Sequence, residues 1–389
     1  MYRIGDEEVE AIRKLFNSGQ VFRYGKATQC NRFEERFAKM LGVKYLRLCN
    51  SGTSALIAAL IGMGIGPGDD VIVPAYTYMA SAMAVLGAGA IPVVAEVDES
   101  LTLDPEDAER KITDRTAAIM PVHMMGLSCD MNSLCRVASD NDVMVCEDSC
   151  QAVGGSYEGQ KLGSFGEAGG FSFNYYKNIT AGEGGAFATD SEEVFERGSC
   201  VVDPCSYYWD EDREFAADFF VPWNFRSTEI AGAILNVQLD RLDGMLETMR
   251  KQKKILTRIG RESGLQPIVS NSPDWECGSA VGFIFPEDQK AISFTTALGE
   301  EEISCFRPID TGRHVYTNWD PIMKNSGSHH PSLDPFNLDE NADANTDYTD
   351  DMCARSLDLL GRTVLISTHP FWPEGQVEKA GEAIRAAAN

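Results

Sequence analysis

A lysine stands in an aromatic segment of the chain, shortly before a cluster of glycines. Lys177 follows the run Phe-Ser-Phe-Asn-Tyr-Tyr at residues 171–176, and Gly-Glu-Gly-Gly comes soon afterwards at 182–185. Burial in such surroundings disfavours the charged form of a lysine and lowers its pKa, so that a neutral amine becomes available. A neutral amine can hold a carbonyl cofactor as an imine and later move protons. A lone lysine of this kind would more simply be a surface residue, so the cofactor hypothesis depends on segments elsewhere in the chain.

A carboxylate follows a strand-like run upstream of the lysine. The sequence Glu-Asp-Ser-Cys-Gln at 147–151 ends the apolar run Val-Met-Val-Cys at 143–146. Such runs are typical of buried parallel strands, and ligands collect beyond the carboxyl ends of those strands. Asp148 is therefore placed to keep a pyridine nitrogen protonated, although an Asp at this position often only caps a helix. Gln151 can return to the same cleft and hydrogen-bond a ring hydroxyl.

Small hydroxyl residues surround a glycine at a predicted helix start. The segment Asn-Ser-Gly-Thr-Ser at 50–54 precedes the helical run at 56–60. Free backbone amides at a helix start form an anion site, although Ser and Thr also cap ordinary helices. Ser172, five residues before Lys177, could supply another hydroxyl to a phosphate.

Aromatic residues follow a third strand-like run. Tyr76 and Tyr78 come after Val-Ile-Val at 71–73, and either ring could lie on a cofactor ring. Aromatic residues after buried strands are otherwise usually part of the core. Together, the amine, the carboxylate, the anion site and the aromatic ring supply what pyridoxal phosphate (PLP) would need.

These segments together resemble the DegT-type sugar aminotransferases, which are PLP enzymes of fold type I. The resemblance runs from about residue 33 to about residue 240 and weakens afterwards. Its most specific parts are Ser-Gly-Thr-Ser-Ala-Leu at 51–56, Pro-Val-His at 121–123, Glu-Asp-x-x-Gln at 147–151, Phe-Ser-Phe-x-x-x-Lys-Asn-Ile-Thr at 171–180 and Gly-Glu-Gly-Gly at 182–185. The order and spacing of these parts make the match specific.

The resemblance implies a role for each matching residue. Lys177 would carry the cofactor as an imine, and Asp148 would pair with the ring nitrogen. Gln151 would contact the ring oxygen, and Tyr78 would stack on the ring. The residues implied to hold the phosphate are Gly52, Thr53, Ser54 and Ser172.

The resemblance also implies a homodimer with shared active sites. In the segment Trp-Asn-Phe-Arg at 223–226, the family offers Asn or Arg to the phosphate of the neighbouring subunit, which here means Asn224 or Arg226. An ordinary surface charge is the alternative explanation for Arg226.

The activity implied by the resemblance is transamination in amino-sugar biosynthesis. The donor would be an amino acid, glutamate in the first place, and the acceptor a nucleotide-linked keto sugar, a keto sugar acid or a cyclitol ketone. The alternatives are a PLP-dependent sugar dehydratase of the same family and a non-catalytic PLP-binding sensor. Dehydratases of the family replace the lysine with histidine, so Lys177 argues against the first alternative. A sensor would not need lysine, aspartate and glutamine together.

Strand-like and helical runs alternate from residue 45 to about residue 190. The strand-like runs are at 45–49, 71–73, 91–97, 117–122, 143–147, 169–173 and 185–189. This alternation predicts an α/β fold with a mainly parallel seven-stranded sheet flanked by helices. Residues 1–245 are predicted to form a large PLP-binding domain with an N-terminal helical arm, and residues 246–389 a smaller C-terminal α+β domain.

Composition limits the partners and the compartment of the protein. The net charge of −25, from 59 acidic and 34 basic side chains, repels nucleic acid and anionic membranes. Residues 71–95 carry no charge and could span a bilayer by length, but prolines and glycines divide them into strand, helix and strand. The eleven cysteines show no C-x-x-C spacing and no apolar leader precedes them, which predicts reduced thiols in the cytoplasm and no metal site.

Three segments depart from the family pattern. Residues 203–222 are acidic and aromatic, residues 325–351 are strongly polar, and the late Leu-Pro-x-His-Pro of the family appears as Ser-Thr-His-Pro at 367–370. All three are expected to shape the acceptor pocket or its entrance. His314 could reach a substrate carboxylate or hydroxyl. His123 matches the position of the histidine in the family's Pro-Val-His motif, but it could equally make only a structural hydrogen bond.

Overall fold

Seven strands form the central sheet of the chain, which confirms the predicted fold class. The computed structural model describes residues 4–24, 28–203, 217, 218, 220 and 223–388. The strands up to residue 189 are β1 (Tyr45–Cys49), β2 (Asp70–Pro74), β3 (Ile91–Ala95), β4 (Thr116–Ile119), β5 (Met144–Asp148), β6 (Ser156–Tyr157), β7 (Gln160–Lys161), β8 (Ala168–Ser172) and β9 (Gly185–Thr189). All except the short hairpin of β6 and β7 belong to the central sheet.

The strand order of the central sheet is β1-β9-β8-β5-β4-β2-β3. The pairs from β8 through β5, β4 and β2 to β3 are parallel, and β9 runs antiparallel to both of its neighbours. The sheet is therefore mainly parallel. The parallel strands end at one common edge, where ligands of such sheets collect.

Helices cover both faces of the central sheet. The helices are α1 (Asp6–Ser18), α2 (Gln29–Leu41), α3 (Gly52–Gly62), α4 (Ala80–Ala88), α5 (Pro105–Arg110), α6 (Met131–Asp140), α7 (Glu192–Val202), α8 (Glu229–Glu262), α9 (Asp288–Glu300), α10 (Asp320–Met323), α11 (Ala354–Gly361) and α12 (Gln376–Ala387). One apolar cluster packs α2, α6 and α8 on one face, with Phe33, Leu134 and Leu242 buried in it. A second cluster packs α3, α4 and α7 on the other face.

Glycine in β8 brings α3 unusually close to the sheet. A Cβ atom at Gly170 would lie 2.5 Å from Cδ2 of Leu56 in α3, a separation that real side chains do not tolerate. A side chain at this position would therefore displace the end of the Leu56 side chain, and glycine lets helix and strand approach each other closely. The result is that the start of α3 lies directly beside the end of β8.

A smaller antiparallel sheet follows in the second part of the chain. Its strands are β10 (Gln266–Pro267), β11 (Ala280–Ile284), β12 (Cys305–Phe306) and β13 (Thr363–Ser367), in the order β10-β11-β13-β12. Helix α8, with 34 residues, is about 51 Å long and contacts both α2 and β11. The predicted boundary at residue 245 falls inside α8 and stays a prediction.

The polar residues 325–351 are held by hydrogen bonds to an edge of the central sheet. The Tyr348 hydroxyl donates to the carbonyl of Pro92 in β3 at 2.7 Å. The Asn341 side-chain amide donates to the carbonyl of Gly89, which ends α4, at 2.9 Å. Because β3 is the last strand of the sheet, this segment covers an edge that would otherwise expose unpaired backbone groups.

Asn341 and Tyr348 make their contacts at the amino ends of the strands. Gly89 precedes β3, and Gly68, whose N–H donates to Asn341 at 2.7 Å, precedes β2. Asp148, in contrast, lies at a carboxyl end. The expectation that residues 325–351 shape the acceptor pocket or its entrance stays a prediction.

The uncharged residues 71–95 form β2, α4 and β3, as the sequence predicted. Within the described ranges, no helix is both long enough and apolar enough to cross a bilayer. The ten cysteines in those ranges are all free thiols.

Candidate active site

Asp148 ends β5 at the carboxyl edge of the sheet. Its buried carboxylate accepts two hydrogen bonds, one at Oδ1 from the Cys150 N–H at 3.0 Å and one at Oδ2 from the Ser81 hydroxyl at 2.6 Å. Its backbone N–H donates to the carbonyl of Pro121 at 2.8 Å. A buried carboxylate is costly without strong donors, and a protonated pyridine nitrogen is a donor of this kind.

Lys177 lies in the connection between β8 and β9. The Tyr175 N–H donates to the carbonyl of Gly182 at 2.9 Å, so the residues between them form a closed loop. Gly182 has a φ of 85°, a left-handed conformation that glycine adopts at little cost. Since β8 pairs in parallel with β5, the connection leaves the sheet beside the end that carries Asp148.

The Lys177 side chain is half-buried, and not buried as the aromatic segment suggested. Tyr176 next to it is 81% exposed, so the aromatic residues do not enclose the amine. Burial lowers the pKa of His314, and the nearby Lys177 charge lowers it further. Burial and Asp148 raise the pKa of the Cys150 thiol well above its usual value, and the Lys177 charge opposes this rise. Lys177 is therefore close enough to His314 and Cys150 for its charge to act on both.

The start of α3 is capped within its own segment. The Ser51 side chain accepts from the Ser54 N–H at 3.1 Å, and the Ser54 hydroxyl donates to Oδ1 of Asn50 at 2.7 Å. The Ser54 hydroxyl is thus engaged in the cap, while Thr53 is half-buried at the same turn. No acidic residue lies in the first turn of α3. The first amides of a helix have no partner inside it, so this turn suits an anion.

Gly52, Ser172 and Cys150 meet at a point where a side chain on Gly52 would not fit. A Cβ atom at Gly52 would lie 2.8 Å from Cβ of Ser172 and 2.9 Å from Sγ of Cys150. The start of α3, the end of β8 and the residues after β5 therefore form one narrow cradle. A phosphate that binds the α3 amides would find the Ser172 hydroxyl beside it.

Tyr78, and not Tyr76, lies at the cleft. Tyr76 is fully buried in an apolar cluster, whereas Tyr78 is 40% exposed. The Tyr78 ring lies 5.4 Å from the His314 ring at an interplanar angle of 54°. The Thr77 N–H donates to the carbonyl of His314 at 2.9 Å, so a late segment of the chain is joined to this loop.

Gln151 is half-buried after β5, and its orientation is fixed by one hydrogen bond. Its Oε1 accepts from the Met125 N–H at 3.1 Å. The side-chain NH₂ group of Gln151 is the part left to donate, and a ring oxygen is a suitable acceptor.

His123 makes structural hydrogen bonds below the cleft. Its Nδ1 accepts from the Cys129 N–H at 3.2 Å, and its Nε2 lies 3.1 Å from Oε2 of Glu147. Because a backbone N–H must donate, Nδ1 carries no proton and Nε2–H donates to the carboxylate. Of the two explanations open for His123, the structural one therefore fits.

Asn224 and Arg226 lie beside the start of α3 in their own chain. The Asn50 N–H donates to the carbonyl of Phe225 at 2.8 Å, and Arg226 forms a bridge with Cys49. The Arg226 guanidinium donates to Oδ1 of Asn224 at 3.2 Å. Their role toward a neighbouring subunit stays a prediction.

Other residues of the cleft fall outside these predictions. Sequence reasoning missed Ser81, whose hydroxyl donates to Asp148. A hydroxyl residue at a helix start, four residues after Thr77, is common to ordinary helix caps and gave no specific signal. Of the acidic aromatic segment 203–222, the residues Tyr207, Tyr208, Trp209 and Phe219 lie outside the described residues.

Comparisons with known proteins identify the family of this chain. The family model described as the DegT/DnrJ/EryC1/StrS aminotransferase family matches residues 2–304. A GDP-perosamine synthase from Caulobacter vibrioides is 44% identical over 237 residues, which cover 59% of this chain and 62% of that protein. A 3-amino-5-hydroxybenzoate synthase from Amycolatopsis mediterranei is 35% identical over 266 residues, 67% of this chain and 68% of that protein. The chain thus spans less than two thirds of the Caulobacter relative.

The similarity in fold extends over almost the whole chain. A crystal structure of 3-amino-5-hydroxybenzoic acid synthase has a TM-score of 0.79 with 28% sequence identity. The superposition covers 99% of this chain and 97% of that one. Both sheets therefore have counterparts in a solved structure.

Proposed function

Because the chain belongs to the DegT/DnrJ/EryC1/StrS aminotransferase family, we propose that it is a PLP-dependent aminotransferase. It transfers an amino group from an amino acid, L-glutamate, to a keto sugar in amino-sugar biosynthesis. One observation carries the proposal: Lys177, Asp148 and the anion-binding start of α3 converge at the carboxyl edge of one sheet. These are the three groups that a phosphorylated pyridine aldehyde requires.

Each residue of the cleft has a proposed task. PLP, when bound, supplies an electron sink that stabilises negative charge on the carbon losing its proton. Lys177 would hold the cofactor carbonyl covalently and, once the donor amine displaced it, would take the proton from the donor α-carbon and deliver it to the cofactor carbon of the imine. Asp148 accepts the N–H of the protonated ring.

The remaining cleft residues are proposed to bind and orient the cofactor. Gln151 donates to the ring oxygen, and Tyr78 packs on the ring. The phosphate is proposed to bind at Gly52, Thr53, Ser54 and Ser172. The hydroxyl and the N–H of Ser54 are both used in the cap, so Ser54 orders the turn that the phosphate meets.

The test of this proposal is a covalent map of the cofactor. Borohydride reduction of the PLP-treated protein, followed by peptide mapping, is expected to place the adduct on Lys177 and to find none in Lys177→Ala. Lys161 is a matched control, since burial lowers its pKa and its Nζ donates to the carbonyl of Gly154 at 3.0 Å outside the cleft. Lys161→Ala should keep the adduct. An adduct at any other lysine, with Lys177 unmodified, would remove Lys177 from the mechanism.

We propose a ketone of a nucleotide-linked sugar as the first acceptor to examine. The support is the 44% identity to the relative named GDP-perosamine synthase. Arg313 is exposed beside His314 and brings positive charge to the cleft, against the net charge of −25 of the whole chain. Sugar acids and cyclitol ketones complete the panel. An acceptor is identified when it returns the amino-loaded enzyme to the aldehyde form of its cofactor, followed by absorbance.

We propose further that the enzyme is a cytoplasmic homodimer with shared sites. Tyr176 and Trp223, near the cleft, are 81% and 50% exposed, and exposed aromatic residues of this size mark interaction surfaces. Free thiols, as in the described part of the chain, suit a reducing compartment.

Mixing two inactive variants tests the shared site. In a mixed dimer of Lys177→Ala and Arg226→Ala subunits, one site contains both intact residues, because Arg226 is proposed to serve the neighbouring subunit. The mixture should regain activity that neither variant has alone. An inactive mixture in which mass analysis detects the mixed dimer would place Arg226 in its own subunit's site.

A further inference from the structure

We propose that Ser81 is a positioning residue that fixes the Asp148 carboxylate through a relay of two hydroxyls. The relay runs from Thr77 to Ser81 and from Ser81 to Asp148. It rests on the proposed function, because it acts on the cofactor through Asp148. It deepens that function by naming the group that sets the orientation of the carboxylate.

The direction of the relay follows from counting protons. The Ser81 and Thr77 hydroxyl oxygens lie 2.7 Å apart, and either could donate to the other. An ionised carboxylate can only accept, so Ser81 uses its single proton on Oδ2 of Asp148, 2.6 Å away. The Thr77 hydroxyl must then donate to Ser81. The Tyr78 carbonyl lies 3.3 Å from both hydroxyl oxygens, farther than the two acceptors of the relay, and receives neither proton in this arrangement.

The relay is closed to solvent. Ser81 is 0% exposed, Thr77 is 1% exposed and Asp148 is 5% exposed. Hydrogen bonds to a charged group in such a setting are stronger than those between neutral groups, because water does not compete for them. Ser81 also lies in the first turn of α4, whose positive end favours a nearby carboxylate.

The Ser81 hydroxyl restrains the second oxygen of the Asp148 carboxylate, which the backbone N–H of Cys150 does not hold. The Cys150 N–H holds Oδ1 from a neighbouring position in the chain, and the Ser81 hydroxyl holds Oδ2 from α4. Two donors on different elements fix the carboxylate plane, whereas one donor leaves it free to rotate. A carboxylate misplaced by rotation would bind the ring nitrogen less well, and small errors of position reduce rates strongly.

The experiment compares Ser81→Ala with three other variants in PLP-loaded protein. Ser81→Thr keeps the hydroxyl, and Thr77→Val removes the second hydroxyl of the relay. Ser356→Ala is the matched control, because Ser356 is also a fully buried serine that donates to a carboxylate, that of Glu96, outside the cleft. The readouts are the ratio of the absorbance bands of bound cofactor at one pH, the Kd of PLP and the single-turnover rate with glutamate.

Ser81→Ala is expected to change the band ratio, weaken PLP binding and slow the glutamate reaction about tenfold, with glutamate affinity unchanged. Ser81→Thr should recover most of the rate, Thr77→Val should show a smaller change of the same kind, and Ser356→Ala should show none. A Ser81→Ala protein that behaves like the parent would overturn the relay but not the proposed function. The same holds for a Ser356→Ala protein that changes as much as Ser81→Ala. If Ser81→Ala does not fold, an unchanged Thr77→Val spectrum overturns it. A parent protein without any bound-cofactor band would instead overturn the proposed function, and the relay with it.

Discussion

Substitution of Gly52 by alanine tests whether the cradle at the start of α3 holds the cofactor. The added Cβ would lie 2.8 Å from Cβ of Ser172 and 2.9 Å from Sγ of Cys150. The Sγ atom of Cys150 ends its side chain and could move, but the Cβ atom of Ser172 is fixed by the backbone of β8. Either α3 or β8 must therefore shift, at the point where the phosphate is proposed to bind.

The expected cost follows from the effects of adding a methyl group to a packed site. Such overpacking costs about 1–3 kcal/mol. If the cofactor-free protein relieves the contact by moving the start of α3, the strain weakens PLP binding by a factor of about 5 to 150. If it cannot move, the same strain lowers the free energy of unfolding instead. The sum of the two losses should lie in the stated range.

The assay measures both quantities in one pair of variants. The Kd of PLP comes from titration of cofactor-free protein, and the free energy of unfolding from urea denaturation without PLP. Gly244 is the control, because a Cβ atom there meets nothing within 4 Å and the residue lies inside α8. Gly244→Ala should be neutral or stabilising by up to about 1 kcal/mol and should leave PLP affinity unchanged. A Gly52→Ala protein with parental affinity and stability would refute the cradle.

Three further predictions concern other parts of the chain. Asp148→Asn should retain PLP but slow the single-turnover reaction with glutamate by roughly ten- to a hundredfold, because a charge-assisted hydrogen bond of about 1.5–3 kcal/mol is lost; an unchanged rate would exclude Asp148 from the mechanism. Asn341→Ala should lower the free energy of unfolding by about 1–3 kcal/mol, since it leaves the Gly68 N–H without its acceptor, while the glutamate reaction proceeds as in the parent. Burial lowers the pKa of His314 below its usual 6.5, so the unfolded chain takes up a proton first as the pH falls, and the free energy of unfolding declines below about pH 6.5. Urea denaturation at about pH 7.5 and about pH 5.5 should show a smaller decline in His314→Gln than in the parent. An equal decline in both proteins would contradict the assignment.

The central sheet could be predicted because its signals are local. The apolar run before Asp148 and the uncharged residues 71–95 are continuous in sequence, and each became a strand or a strand-helix-strand unit at nearly the expected positions. Periodicity and glycine or proline breaks are properties of a few adjacent residues.

The contacts that could not be predicted join distant parts of the chain. Ser81 and Asp148 are 67 residues apart, and nothing in the first turn of α4 distinguishes a serine that bonds a carboxylate from one that caps a helix. Tyr348 and Pro92 are 256 residues apart, so the polar composition of residues 325–351 indicated a loop without indicating its place. The sequence likewise did not reveal that the Tyr176 side chain is exposed and leaves Lys177 only half-buried.

The cover on the β3 edge arrives late in synthesis. Strand β3 ends at residue 95, while Cys353, whose thiol donates to the Val94 carbonyl, follows more than 250 residues later. At typical ribosome speeds of about 5–20 residues per second, roughly 13–52 s separate the two. During that interval β3 can pair with β2 on one side only, so its outer edge is open to chaperones while the chain is still on the ribosome.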